Sequence, residues 1–78
     1  MEDRFSQNDI GKRVILELDV EKDSLARRLG ANRVEVTGEL LAFNKEFVQI
    51  KVESGSPYFT SKETRVIAYG IIKNYEFL

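Results

Sequence analysis

The sequence predicts a mainly β domain: a small, strongly bent barrel of five strands preceded by a short N-terminal helix. Three observations predict it. Apolar residues recur at every second position in successive short runs, which is the period of half-buried strands. Gly38 lies inside one such run, which ends at the corner Phe43-Asn44, and a strand carrying a glycine that then bends lets a short sheet curl on itself. Gly70 hinges the last two runs, and five short strands bent at glycines make a small barrel.

Residues 1–11 are polar apart from Phe5 and Ile10. Ser6 is placed to cap one helical turn through Asn8 and Asp9, with Gly11 as its stop. So short a helix needs Phe5 and Ile10 docked on something; the other reading is a frayed tail. Residues 12–20 alternate, with Val14, Leu16, Leu18 and Val20 on one face and Arg13, Glu17 and Asp19 on the other; Ile15 breaks the pattern on the outer face. Residues 21–32 are an insertion between the first two strands and lack β-branched residues. Asp23 or Ser24 can cap a short helix there, with Leu25 and Leu29 on one side and Gly30 as its end. The second strand is expected over residues 33–44 and the third over 46–54, joined tightly at Asn44-Lys45-Glu46. Gly55, Ser56 and Pro57 open a loop through residue 62, in which Tyr58 and Phe59 must dock or stay exposed. Residues 64–70 and 71–77 are the last two strands.

At 78 residues the chain is a single domain over residues 1–78. It has neither cysteine nor histidine, which removes disulfides, thiolate nucleophiles, the commonest general base and the commonest zinc ligand. Glu17 with Asp19 and Glu35 with Glu39 fall on outward strand faces as solvated charge, and no phosphate-cradling glycine loop is present. An enzyme is therefore not expected, and neither is a metal or cofactor. Charge is balanced at 12 Lys and Arg against 13 Asp and Glu, so a nucleic-acid role needs a local patch and not a general field. No apolar run approaches the ~20 residues of a membrane span, so no membrane partner is expected. The acidic, polar start MEDRFSQND is unlike a secretory signal, and a soluble cytoplasmic protein is the expectation.

Gly11-Lys12-Arg13-Val14, Val36-x-Gly38-x-Leu40, the corner Phe43-Asn44, Val48-x-Ile50-x-Val52 and Tyr69-Gly70 resemble, in order, the signature segments of the Sm-like (Lsm and Hfq) family. The resemblance covers nearly the whole chain except residues 21–32. It implies an Sm-like barrel, and a homo-oligomeric ring in which the fourth strand of one subunit pairs with the fifth of the next. Edge-strand physics agrees, because neither proline nor dense lysine blunts residues 64–77. Ile67, Tyr69, Ile71 and Ile72 are the interface candidates; the other reading is that they fill the core of one chain.

The resemblance further implies a site for single-stranded RNA, made by the turn after the second strand and the corner between the last two. Unpaired bases need a stacking platform and hydrogen bonds to their edges. This chain departs from the family pattern: Asn44 stands for an aspartate, Glu46 occupies the stacking position, Val48 replaces an asparagine and Tyr69 an arginine. The RNA-binding candidates are Asn44, Lys45, Phe47, Tyr69, Gly70 and Lys73, although an aromatic beside a strand usually packs, which makes Phe47 a core or interface residue before a ligand platform. Lys22, Arg27, Arg28 and Arg33 make the most basic segment; phosphate attraction is one reading, and complementing the dipole of a helix end is the other for the arginine pair. The expected function is a ring in RNA metabolism with a diverged base pocket; the alternative is a structural ring that engages another protein.

Overall fold

The computed structural model describes residues 5–22, 27–30, 32–56 and 59–78. Five antiparallel strands form one sheet: β1 (Arg13–Leu18), β2 (Val34–Phe43), β3 (Phe47–Ser56), β4 (Thr64–Ala68) and β5 (Ile72–Phe77). Their spatial order is β4-β3-β2-β1-β5. Short 3-10 turns occupy Gln7–Asp9, Val20–Lys22 and Tyr69–Ile71. The two-residue period of the sequence becomes alternate burial. Val14, Leu16, Leu18, Val34, Val36, Leu40, Val48, Ile50 and Val52 are each at most 2% exposed, and apart from Ile15 and Gly38 the residues between them on their strands are polar. No second layer covers this face among the described residues, so the sheet buries it by curling over it.

The bend is concentrated where β2 meets β3. Register shifts between Thr37 and Gly38, and again between Leu40 and Ala42; such irregularities bend a strand. A Cβ at position 38 would collide with the backbone carbonyl of Lys51, so the two strands approach there only because Gly38 carries none.

The predicted closure into a barrel is absent: the curled sheet stays open, with β4 and β5 as its two edges. The topology explains why. Every neighbouring pair is antiparallel, so β4 and β5 run in the same direction and could close only as a parallel pair. A parallel pair needs a crossover of about a dozen residues or more. Only the turn Tyr69–Ile71 separates these two strands.

The N-terminal helix is a single 3-10 turn. The Asp9 carboxylate accepts the Ser6 N–H at 2.8 Å and the Ser6 hydroxyl at 3.2 Å, with the Lys12 ammonium 3.4 Å away. The Ser6 backbone bond, helped by Lys12, holds the Asp9 carboxyl below its ordinary value of 3.8. Phe5 is docked, only 3% exposed, amid the rings of Phe43, Tyr69, Tyr75 and Phe77.

Other boundaries differ from expectation for local reasons. β1 stops at Leu18, because the Asp19 N–H turns to the Ile71 carbonyl at 2.7 Å and its side chain accepts the Glu21 N–H at 3.0 Å. β3 runs through Gly55 to Ser56, where a loop is expected, because β2 is long enough for Val36 and Glu35 to pair with them. β4 stops at Ala68, and Gly70 lies in the following turn. In the insertion, Gly30 ends a helical turn as predicted, at φ +70° with its N–H on the Arg27 carbonyl at 3.1 Å. The caps expected at Asp23 or Ser24, with Leu25, Pro57 and Tyr58, lie outside the described residues.

Candidate functional site

The turn after β2 and the corner after β4 come together as expected. The Tyr69 N–H donates to the Glu46 carbonyl at 3.0 Å, and Phe47 faces Ala68 across the β3–β4 ladder. This one backbone bond sets Asn44, Lys45 and Phe47 beside Tyr69 and Gly70. The turn itself is built by Asn44. Its Oδ1 accepts the N–H groups of Glu46 and Phe47 at 2.8 and 2.9 Å, and its N–H donates to the Phe47 carbonyl at 3.0 Å. Asparagine favours turns through this side-chain mimicry of backbone. The consequence for recognition is that the amide oxygen is occupied, leaving the NH2 group to meet a ligand.

Tyr69 is not presented to a ligand. It is 6% exposed, and its ring stacks on Phe5 at 6.2 Å and 28°. Phe47 is half-buried, while Lys45, Glu46 and Gly70 are exposed. Lys73 is also exposed but falls elsewhere, in a groove of about 350 Å³ lined with Glu17, Asp19, Glu21, Asn32 and Arg33. It is the extra residue where the β1–β5 register shifts, since Leu18 pairs with Ile72 and Glu17 with Asn74.

The basic residues of the insertion divide into two kinds. Arg33 is engaged by two carboxylates, Glu35 at 2.7 Å and Glu17 at 3.6 Å, which offset its charge on the outer face. Lys22 reaches back to the corner and donates to the Gly70 carbonyl at 3.3 Å. Arg27 and Arg28 are exposed at the helical end. Of the interface candidates, Ile67, Tyr69 and Ile72 are buried in the core of the chain itself, at 3, 6 and 5% exposure, and Ile71 packs against it. Among the described residues, the large apolar side chain exposed on β4 is Val66, at 58%, a residue the alternation within 64–70 already sets opposite to Ile67.

Among the described residues no group of three or more acidic residues is placed to hold a metal ion, and no helix is long and apolar enough to cross a membrane. No family model, curated protein or solved structure matches this chain.

Proposed function

We propose that the chain is a cytoplasmic, ring-forming Sm-like protein that acts in RNA metabolism and binds single-stranded RNA through a diverged pocket. The observation that carries this reading is a curled sheet, ordered β4-β3-β2-β1-β5, which its own topology prevents from closing. Head-to-tail pairing of identical chains satisfies both edges and closes into a ring when the rotation fits. The Tyr69–Glu46 bond then gives each copy one surface where Lys45 attracts phosphate and the exposed part of Phe47 stacks a base.

A second reading keeps the ring and replaces RNA by a protein partner. It is favoured by the Asn44 oxygen being committed to its turn and by Tyr69 lying under Phe5.

Native mass spectrometry followed by binding of labelled oligo-U and oligo-A across a salt series tests both. The RNA reading expects a cyclic oligomer in which Lys45→Ala lowers the salt slope by about 1. Arg33→Ala leaves the slope unchanged, because Glu17 and Glu35 already offset that charge. Phe47→Ala removes the salt-resistant part, about 1–3 kcal/mol per stacked base. A ring that binds neither oligonucleotide, even at low salt, supports the protein-partner reading. A monomer overturns both.

A further inference from the structure

We propose that the insertion after β1 adds a second phosphate contact to the RNA surface: Lys22 stands at the corner Tyr69–Ile71, across from Lys45, and a single strand crosses Gly70 between the two ammonium groups. The extended surface rests on the RNA reading and supplies what Lys45 alone does not, a net positive charge.

Three bonds place Lys22. The Asp19 N–H donates to the Ile71 carbonyl at 2.7 Å, which fastens the end of β1 to the corner. The Lys22 N–H donates to the Asp19 carbonyl at 3.1 Å, closing the 3-10 turn Val20–Lys22. The Lys22 ammonium then donates to the Gly70 carbonyl at 3.3 Å. A lysine ammonium has three N–H donors, so one bond positions it and the others remain for phosphate oxygens. On the far side, the Tyr69 N–H bonds the Glu46 carbonyl at 3.0 Å, and Lys45 is the next residue of that turn. At ~3.8 Å per residue step, the Lys22 ammonium and the Lys45 backbone are at most about 20 Å apart, a span for a few nucleotides.

Charge decides which cations can serve. Lys12, Arg13, Arg33 and Arg65 are held by Asp9, Glu53, Glu35 and Glu63 in turn. Among the described residues no carboxylate forms such a pair with Lys22 or Lys45. Successive side chains of a 3-10 turn diverge by about 120°, so Glu21 leaves Lys22 and lines the groove with Glu17, Asp19 and Lys73. Lys45 shares its turn with the exposed Glu46, and those two charges cancel. Lys22 tips the surface positive, while the groove carboxylates repel a strand from the other side of the insertion. The path between the lysines is open, because a Cβ at Gly70 would meet nothing within 4 Å. Cations beside a stacking ring, here Phe47, suit a nucleic-acid strand and not an acidic peptide.

Binding of labelled oligo-U and oligo-A to the full chain is measured across a salt series. The variants are Lys22→Ala, Lys22→Gln, Lys45→Ala, the double alanine variant, and Lys51→Ala at an exposed position on β3. Each lost phosphate contact lowers the slope of log K against log salt by about 0.7–1. Lys22→Ala and Lys45→Ala are each expected to show that loss, the double variant twice as much, and Lys51→Ala none. Lys22→Gln keeps an N–H donor for the Gly70 carbonyl and removes the charge, so it is expected to match Lys22→Ala. A glutamine variant that binds like the parent means that Lys22 only holds its turn, and overturns the proposal. A loss in Lys45→Ala with none in Lys22→Ala also overturns it while leaving the RNA reading intact, and so does an equal loss in Lys51→Ala. The native chain has no cysteine, so Lys22→Cys and Lys51→Cys each present a single thiol to oligo-U carrying a bromoacetyl group on an internal phosphate. Alkylation at position 22 and not at 51 is expected; failure at position 22 refutes the contact. A parent chain that binds neither oligonucleotide, or binds only an oligo-glutamate peptide, overturns the RNA reading and the proposal together.

Discussion

Replacing Phe5 by alanine tests whether one side chain holds the N-terminal strap to the sheet. Phe5 is 3% exposed and touches four rings at 4.9–6.3 Å, whereas the turn that follows it buries nothing. Burial of a phenylalanine removes about 150–250 Å² from water, or roughly 4–6 kcal/mol at about 25 cal/mol per Å². Phe→Ala losses in cores centre lower, at about 3–5 kcal/mol, which is the range expected here. A chain of this length has a total stability of about 4–12 kcal/mol. The loss is a large share of that total, and at a urea m-value of about 1 kcal/mol per M the midpoint falls by about 3–5 M. Equilibrium urea unfolding of the parent, Phe5→Leu and Phe5→Ala checks this, with the leucine variant in between. Hydrogen exchange adds a second readout. If the strap peels off and the sheet survives, the Gly11 N–H, bonded to the Leu40 carbonyl at 2.8 Å, loses protection before the β1–β2 ladder does. An alanine variant whose midpoint lies within about 0.5 M of the parent would refute the reasoning, since Phe5 would then add nothing to the fold.

Two glycines should respond oppositely to alanine. Gly38→Ala drives a Cβ into the Lys51 backbone and costs about 1–3 kcal/mol or more, whereas Gly70→Ala meets nothing within 4 Å and stabilises by about 0.4–1 kcal/mol; thermal melts of both variants check the contrast. The Asp9 carboxyl is held below 3.8 by the Ser6 N–H, so its contribution is fully present above that value and is lost as pH falls through the lower folded-state pKa. The gap in Tm between the parent and Asp9→Asn is therefore widest near neutrality and closes in acid; a gap that widens in acid contradicts the assignment.

What could be read from the sequence was whatever rested on local period. Val14/Leu16/Leu18 and Val48/Ile50/Val52 announced buried faces, and Gly38 announced the bend, because alternation and a missing Cβ are properties of a few adjacent residues. Gly55-Ser56 misled because their composition signals a loop, while a long β2 offered them partners some twenty residues away in sequence. The edges over residues 64–77 were anticipated from the missing proline and dense lysine, but not what keeps them apart: only the order of pairing shows that closure within one chain would have to be parallel. At the candidate site, nearness of Asn44 to Tyr69 was foreseen, but not that Phe5 would take the Tyr69 ring. Arg33 looked basic in a linear reading; a closer look at Glu35, two positions on, would have predicted the ion pair that offsets its charge.

The pairing of β1 with both β2 and β5 has a kinetic consequence. Val14 binds Gly38 on one side and Phe77 on the other, so its second ladder closes a loop more than twice as long as its first. Pairings so distant along the chain slow folding, because loop closure precedes any reward from contact. Until β5 arrives, β1 is itself a bare edge beside an unfilled aromatic seat, and the nascent chain passes through a state in which an interior strand is exposed to any passing copy. Synthesis at lower temperature or in the presence of a holdase should therefore raise the yield of folded protein more than any change made to the finished surface.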